Sequence, residues 1–447
     1  MSVDTTQPRQ PPATPTYILR GHVAPIHALQ IFNTNLRIVS GDADGWIIVW
    51  DLVFKRPIAV WKAHEGAVLE VKGFGLAAGA MTEIYTHGRD HKLKVWRFRV
   101  QDEESLQKTL PVDIGDSSQS GTGNQPWLVH SLPVNALNFC AFSMQFLETG
   151  LHTHEDDGSK PSDSVPPSSA LIAVPNALDS GAIDLFHLPR ERRICTIPAD
   201  PTVKTGMVMA AHLTTSQSGE LYVAAAYEDG HVMVFGHRGA VKEKDFSSNG
   251  SWKWEKLYIS RPHSQPVLSI DVCCATGDYF LSSSADALLV KHPIPRLGAS
   301  ASTARTVQVE QSPLRTINTK HAGQQGLRVR SDGKIFATAG WDSRVRVYSC
   351  KTMKELAVLK WHKDGCYAVA FAHVSSISNI GDLSPTPGPE STLGKAGDEE
   401  NGAQLTKREE RDFSLAQVQR QRSQKVQNTH WLAAGSKDGK ISLWDIY

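Results

Sequence analysis

The sequence of 447 residues predicts an all-β fold, a seven-bladed β-propeller closed by an N-terminal strand that completes the last blade. Three features of the chain predict this fold. A turn containing Asp, followed by a short strand and an aromatic residue, recurs along the chain. A residue pair ending in His opens many of these units. One strand-like segment near the N-terminus, residues 16–20, belongs to none of them.

The recurring unit places an aromatic residue six positions after the turn Asp. Five copies keep this spacing: Asp44 and Trp50, Asp90 and Trp96, Asp229 and Phe235, Asp342 and Tyr348, Asp438 and Trp444. A sixth copy has Asp286 in the turn but His292 in the aromatic position. Residues 171–186 form an eroded copy with Ser180 at the turn. Together with the His pairs, this pattern is the signature of WD40 repeats.

Each unit is predicted to be a small antiparallel sheet. Residues 47–50 form an apolar run bounded by turn residues, which is typical of a strand buried between stacked sheets. Asp-Gly at 44–45 suits a tight hairpin turn that needs positive φ. A single sheet of this kind cannot cover both of its faces, so the units are expected to be stable only as a ring.

The repeats also predict where the ring begins and closes. Seven units start near His22, His64, His130, Gly206, His263, His321 and His362. Only three residues follow Trp444, so the last blade lacks room for its own outer strand. We expect residues 16–20 to supply that strand, because closure removes an exposed sheet edge. The prediction is therefore one propeller domain over 16–447, preceded by a disordered tail over 1–15.

Sets of four residues recur in the same order in the first two blades. They are His22, Ser40, Asp44 and Trp50 in blade 1, and His64, Thr86, Asp90 and Trp96 in blade 2. The resemblance to WD-repeat proteins implies that hydrogen bonds join each set within its blade. Blade 6 departs from the pattern with Tyr348 in place of Trp, and blade 7 has Ala434 at the hydroxyl position. Because a catalytic His and Asp would occur once, their recurrence favours a structural role.

Composition bounds the function class and the compartment. The 47 basic and 46 acidic side chains give a net charge of +1, which argues against direct binding of nucleic acid. The six cysteines are scattered without a Cys-x-x-Cys pair, as expected for reduced thiols in an intracellular protein. No apolar run is long enough to span a membrane, and residues 1–15 are polar and proline-rich, unlike a secretory signal.

Polar insertions interrupt the repeats at 101–126, 148–169, 237–251, 296–312 and 374–428. We expect 101–126 to connect blades 2 and 3, and 374–428 to split blade 7. The first half of the last insertion is rich in Ser, Pro and Gly, which predicts disorder. Residues 406–427 have a helix-compatible composition. Leu415 and Val418 are their only closely spaced apolar pair at helical spacing, so a solvated helix is favoured over a partner-binding one.

A search for catalytic, cofactor and metal motifs predicts none. Residues 435–440 resemble a phosphate loop only weakly, since the glycines are too close together and Ile441 replaces the required Ser or Thr. The segment 152–157 (His-Thr-His-Glu-Asp-Asp) has metal-binding side chains but lies in a polar insertion, where a solvated loop is favoured. The chain contains no Gly-x-Ser-x-Gly sequence. We therefore predict a protein that is not an enzyme and uses no cofactor.

The residue before each turn Asp is expected to project from the rim of the ring. Arg89, Glu228, Trp341 and Lys437 occupy this position and are the candidate partner contacts. Trp and Arg are favoured anchors in protein interfaces, which places Arg89 and Trp341 first. The alternative for Trp341 is packing against a neighbouring loop.

The segments that flank the repeats resemble the fungal ASTRA-associated protein 1 family. The likeness runs from about residue 16 to 447 and is carried by 19–27, 40–52, 61–68, 85–96, 340–348 and 361–366. This resemblance implies a nuclear, non-catalytic subunit of the ASTRA assembly, linked to chromatin remodelling and to the biogenesis of phosphatidylinositol-3-kinase-like proteins. It implies as partners a giant kinase-like protein, helical-repeat cochaperones and AAA+ ATPases. We also expect the chain to be monomeric within a hetero-complex, without membrane or direct nucleic-acid contact.

Two other functions fit the same fold. A signalling propeller of the G-protein β type would need an N-terminal coiled-coil helix, whereas residues 1–15 contain four prolines and no heptads. A substrate receptor of a ubiquitin ligase would need a degron pocket, usually lined by Arg, and Arg89 alone gives that hypothesis little support. We expect a nuclear location, with the cytoplasm as a second compartment.

Overall fold

The computed structural model describes residues 13–76, 79–110, 124–135, 140–147, 169–239, 252–297, 309–374 and 415–446. These residues form seven four-stranded antiparallel sheets, and the prediction of a seven-bladed propeller is confirmed. The first strands of neighbouring blades contact one another, so they form the inner wall of the ring.

Each of the first three blades runs from an inner strand at the channel to an outer strand at the edge of the ring. Blade 1 is β2 (Ile26–Phe32), β3 (Arg37–Asp42), β4 (Trp46–Asp51) and β5 (Arg56–Lys62). Blade 2 is β6 (Val68–Leu76), β7 (Met81–Gly88), β8 (Lys92–Arg99) and β9 (Trp127–Pro133). Blade 3 is β10 (Ser143–Phe146), β11 (Ala170–Pro175), β12 (Ile183–Leu188) and β13 (Arg192–Ile197).

The second half of the ring follows the same plan. Blade 4 is β14 (Val208–Thr215), β15 (Leu221–Tyr227), β16 (Val232–His237) and β17 (Trp254–Ser260). Blade 5 is β18 (Val267–Val272), β19 (Tyr279–Ser284), β20 (Leu288–Pro293) and β21 (Arg315–Asn318). Blade 6 is β22 (Gln324–Val329), β23 (Ile335–Gly340), β24 (Val345–Ser349) and β25 (Glu355–Leu359). Blade 7 is β26 (Cys366–Phe371), β27 (Trp431–Ser436), β28 (Lys440–Asp445) and β1 (Tyr17–Arg20).

The N-terminal strand closes the ring as predicted. β1 pairs with β28 in antiparallel register, with Leu19 opposite Ile441. The side chain of Leu19 is 1% exposed and packs in a cluster that includes Trp50 of blade 1 and Leu443 of blade 7. The strand therefore completes blade 7 and also joins the core between the last blade and the first.

The turns between the second and third strands require Gly at defined points. Gly45 has φ of +89°, and a Cβ atom there would lie 1.9 Å from the carbonyl oxygen of His64. Only Gly tolerates both the positive φ and this close approach to the loop between blades 1 and 2. The Asp-Gly turns are thus fixed by contacts between blades as well as by hairpin geometry.

Two predicted boundaries are wrong. Insertion 101–126 lies inside blade 2, because Trp127–Pro133 pairs with β8 and supplies the outer strand of that blade. His130 consequently lies on β9, where its Nδ1 is 2.7 Å from Glu191 Oε1, and does not open blade 3. The polar composition of such an insertion does not show whether it connects two strands of one blade or two neighbouring blades.

Of the five insertions, only parts are described. Residues 100–104 (Val100–Glu104) form a 3₁₀ helix, and 415–428 form a helix, α1. The carbonyl oxygens of Val426 and Gln427, in the last turn of α1, accept hydrogen bonds from Trp431 Nε1 and Asn35 Nδ2 of the ring. Residues 1–12 of the predicted tail (1–15) and the segments 111–123, 148–168, 240–251, 298–308 and 375–414 lie outside the described residues.

The two ends of the antiparallel sheets differ in what they carry. Connections from the first to the second strand and from the third to the fourth lie at one end, which we call the lower face. The described ends of all five insertions lie there, between β8 and β9, β10 and β11, β16 and β17, β20 and β21, and β26 and β27. The opposite end, the upper face, carries the Asp turns and the connections between blades. Among the described helices, none is long and apolar enough to cross a membrane.

Candidate protein-binding face

The upper face is built by one hydrogen bond that recurs in six blades. The amide of the residue before the turn Asp donates to a carbonyl oxygen in the loop that leads into the first strand of its blade. The pairs are Ala43 to Pro25, Arg89 to Ala67, Glu228 to Met207, Ala285 to Pro266, Trp341 to Gly323, and Lys437 to Gly365. The six positions that precede a turn Asp are therefore structurally equivalent.

The four predicted partner contacts all lie exposed on this face, on different blades. Arg89 belongs to blade 2, Glu228 to blade 4, Trp341 to blade 6 and Lys437 to blade 7. Glu228 Oε2 accepts a hydrogen bond of 3.2 Å from the amide of Met207. The ring therefore spaces these four residues around the rim and does not bring them together.

Trp341 is held in place although 49% of its surface is exposed. Its indole Nε1 donates a hydrogen bond of 2.7 Å to Gln325 Oε1. A Cβ atom on Gly323 would lie 2.2 Å from the Trp341 ring, and one on Gly365 would lie 3.4 Å from its Cα. Two glycines thus make room for a Trp that keeps one side in solvent.

A second feature of the upper face was not visible in the sequence. In six blades the first strand carries a β-bulge at its second residue, where the pairing register shifts. All six bulged residues line the mouth of the central channel, and we call them the collar: His27, Leu69, Met209, Leu268, Gln325 and Tyr367. Bulges redirect side chains, and here they turn one residue per blade into the channel. The six collar residues differ in size and polarity, so no sequence pattern identifies them.

The channel has a cavity volume of about 540 Å³, and Trp341 lines it together with the collar. His27 and Tyr367 stack with ring centroids 5.3 Å apart and planes 8° apart. Farther from the upper face, Arg328 Nη2 of blade 6 lies 2.7 Å from Glu70 Oε2 of blade 2, so an ion pair spans the channel. Lys72 and the pair of His212 and Asp271 line the same charged layer.

Hydrogen bonds bring together the predicted four residues in blade 2. His64 Nδ1 is 2.8 Å from Asp90 Oδ1, and its Nε2 is 2.8 Å from Thr86 Oγ1. Trp96 Nε1 donates to the same hydroxyl at 3.0 Å. The buried ring of His64 therefore links the turn to the centre of the sheet.

In blade 1 the acid of the set is Asp42, and the assignment of Asp44 is wrong. His22 Nδ1 lies 2.7 Å from Asp42 Oδ2, while Ser40 Oγ joins His22 Nε2 and Trp50 Nε1 at 2.7 and 2.9 Å. Asp42 Oδ1 also accepts bonds from the amides of Asp44 and Trp46. A carboxylate at the end of β3 reaches both the His and the turn, which leaves Asp44 exposed.

Later blades vary the same network. In blade 5, His292 takes the Trp position, with Nε2 2.8 Å from Ser282 Oγ and Nδ1 2.9 Å from the Tyr258 hydroxyl. In blade 6 the network of His321, Thr338 and Asp342 does not form. Asp342 binds Arg346 instead, and His321 lies 3.8 Å away and exposed.

The electrostatics of these sets support a structural role. Burial acts to raise the pKa of Asp90, but the hydrogen bond and charge of His64 outweigh it and leave this pKa below its usual value. The pKa of Asp286 is lowered in the same way by His263. These carboxylates are ionised and paired, and they face the sheet instead of a substrate cleft. Within the described ranges, no group of three His, Cys, Asp or Glu side chains is placed to hold a metal ion.

Comparison with known proteins identifies the family. Residues 15–444 match the family model described as "ASTRA-associated protein 1". The chain is 68% identical to the ASTRA-associated protein 1 of Aspergillus niger over 450 residues, with all of both chains covered. It is 32% identical to that of Schizosaccharomyces pombe over 385 residues, covering 81% of this chain and 95% of the relative. The chain therefore belongs to the ASTRA-associated protein 1 family.

Proposed function

We propose that this chain is a non-catalytic scaffold subunit of the ASTRA assembly and binds its partners through the upper face of the propeller. Its family supports the association, since relatives from distant fungi carry the name ASTRA-associated protein 1. The fold supports a scaffold role, because the His and Asp residues that recur in the blades bind each other. The roles in chromatin remodelling and in biogenesis of phosphatidylinositol-3-kinase-like proteins, and a nuclear location, are part of the same proposal.

The proposal that partners bind the upper face rests on one observation, the position of Trp341. A large aromatic side chain is half exposed at the rim, yet its indole is fixed by Gln325 and seated against Gly323. Fixing the ring before binding reduces the entropy lost on association. Arg89, Glu228 and Lys437 supply charged contacts at equivalent positions on other blades.

Affinity purification of the tagged full-length chain, followed by mass spectrometry, tests the proposal. We expect recovery of the kinase-like protein, helical-repeat cochaperones and AAA+ ATPases, and a nuclear signal for the tagged chain. Trp341→Ala should reduce partner recovery at least tenfold without lowering the melting temperature. Trp127→Ala is the matched control, because Trp127 is 58% exposed but lies on the outer strand β9.

Different results would reject different parts of the proposal. Recovery of heterotrimeric signalling partners alone, or of ubiquitin-ligase subunits alone, would reject the ASTRA role. Equal recovery with Trp341→Ala and Trp127→Ala would keep the subunit role but remove Trp341 from the binding face. Turnover in a panel of hydrolase and nucleotidase assays that one point mutation abolishes would show that the chain is an enzyme.

A further inference from the structure

We propose that the collar and Trp341 form a docking site for an acidic segment of a partner protein, which inserts one large apolar side chain into the mouth of the channel. This inference rests on the proposed use of the upper face and names the chemistry of what binds there. It depends on three features: an apolar recess, a basic surround and a face that carries none of the five insertions.

The mouth of the recess is apolar on the side of blades 2, 4 and 5. Leu69, Met209 and Leu268 point into the channel from blades 2, 4 and 5, and each is only partly buried. The stacked rings of His27 and Tyr367 form the wall at blades 1 and 7. The channel as a whole, with the collar and the charged layer beyond it, has a volume of about 540 Å³, so the recess at its mouth is only part of that space.

The recess does not continue as an open apolar tunnel. Beyond the collar, Glu70 and Arg328 meet at 2.7 Å across the channel, and Lys72 lies 3.9 Å from the same carboxylate. A long apolar segment threaded through the ring would have to break this pair and leave charges unpaired, which is costly. The site therefore favours one inserted side chain over a threaded peptide.

The surround beside Trp341 is basic. Four exposed lysines lie in the connections and turns of blades 5 to 7 on this face: Lys320, Lys360, Lys363 and Lys437. The amide of Lys437 donates to the carbonyl oxygen of Gly365, the glycine that also contacts Trp341, so this lysine and Trp341 flank the same residue.

The carboxylates of the same sector are mostly neutralised by their own blades. Asp342 pairs with Arg346, and Asp438 lies 2.9 Å from Lys440 Nζ. Asp364 is the exposed carboxylate in the loop between Lys363 and Gly365. The balance of exposed charge beside Trp341 is positive, and opposite charge on a partner favours encounter and correct register.

The lower face is a weaker candidate for this role. The described ends of the five insertions crowd it, and α1 rises from it with its last turn bonded to Asn35. The upper face consists of short turns and blade connections around the collar. A folded partner can therefore approach the channel mouth from that side, with its acidic segment lying across blades 6 and 7.

Fluorescence anisotropy with the full-length chain and a labelled peptide tests the inference. The probe is Asp-Glu-Asp-Phe-Asp-Glu-Asp, and its comparators carry Ala in place of Phe, or Lys in place of every acid. We expect the probe to bind at least tenfold more tightly than either comparator, with affinity falling as salt is raised. Equal or tighter binding of the basic comparator, or no binding of the probe, would overturn the proposal.

Variants locate the site and separate its charge from its apolar part. Lys363→Glu with Lys437→Glu should weaken probe binding at least tenfold, whereas Lys351→Glu with Lys354→Glu should not. The control pair makes the same charge change on exposed lysines of blade 6 at the lower face. Leu268→Ala and Trp341→Ala should each weaken binding of the probe that contains Phe. The weak binding of the Ala comparator should stay unchanged. Probe binding that no upper-face variant alters would contradict the assignment.

Partner recovery distinguishes this inference from the proposed function. If partner recovery is lost with Trp341→Ala but kept with the charge reversal at Lys363 and Lys437, the upper face binds partners. The proposal that an acidic segment docks there is then wrong. If both variants lose the assembly and the lower-face control retains it, both proposals are supported. Melting temperatures within about 2 °C of the wild type establish that each variant is folded.

Discussion

Ser442 on β28 lies directly opposite Ala434 on β27, and its hydroxyl takes the place of the one that residue 434 lacks. Ser442 Oγ lies 2.8 Å from His362 Nε2 and accepts a hydrogen bond of 2.8 Å from Trp444 Nε1. In blades 1 and 2 the corresponding hydroxyl, of Ser40 or Thr86, stands on the second strand. Blade 7 thus keeps the bonds from His and Trp to a shared hydroxyl by moving that hydroxyl one strand outward, while His362 Nδ1 lies 3.7 Å from Asp438 Oδ1.

Ser442→Ala should destabilise the protein by about 1–3 kcal/mol, because buried His362 and Trp444 both lose their partner. Ala434→Ser in that background returns a hydroxyl at the position used by blades 1 and 2, so it should recover part of the loss. The check is a double-mutant cycle from urea unfolding. A double variant no more stable than Ser442→Ala would show that the two positions are not interchangeable.

Asp42→Ala should cost about 1–3 kcal/mol, since His22 and two turn amides lose their acceptor. Asp44→Ala is the matched control and should change stability by no more than about 0.5 kcal/mol, because Asp44 is exposed. Thermal unfolding of both variants measures the difference. A larger loss from Asp44→Ala would contradict the assignment of Asp42 to the network.

Leu19→Ala should cost about 2–5 kcal/mol, because it empties a buried site shared by blades 7 and 1. Arg20→Ala, at an exposed position on the same strand, should have little effect. Deleting residues 1–20 should destabilise the ring further by removing all pairing to β28. Unchanged unfolding of the deleted protein would mean that β1 contributes nothing to closure.

Stability should fall as the pH drops below about 6.5, in part because of His292. Burial, with a contribution from the charge of His263, holds the pKa of His292 well below its usual value. Well above pH 6.5 this His is neutral in both states and its contribution is fully present. Below it, the unfolded chain takes up a proton that the folded chain resists, which costs up to about 1.4 kcal/mol per pH unit.

The measurement is the urea midpoint between pH 7.5 and 5.5, for the wild type and for His292→Gln. The variant should start lower, because its bonds to Ser282 and Tyr258 change, but it should lose less stability over this range. Other buried histidines with lowered pKa values, such as His87, act in the same direction and remain in both proteins. Parallel pH profiles would rule out His292 as a source of the dependence.

Prediction from the sequence succeeded where local chemistry repeats. The Asp turns, the apolar runs and residues 16–20 are each short enough for propensity and spacing to define them, and together they predicted seven blades and their closure. It failed at Asp42 and Asp44, because the six-residue spacing to Trp50 selects Asp44, whereas the carboxylate that reaches His22 is that of Asp42 at the end of β3. It also failed at His130, because the sequence of an outer strand does not show which of two neighbouring blades the strand pairs with.

The amino-acid sequence by itself determined the number of blades, the closing strand and the residues that project beside each Asp turn, because periodicity 2 and turn chemistry act over a few neighbouring residues. Only the tertiary structure decided which hydroxyl serves blade 7 and which six side chains form the collar. Those choices depend on strand register and on β-bulges, which arise when a strand pairs with a partner distant in the chain.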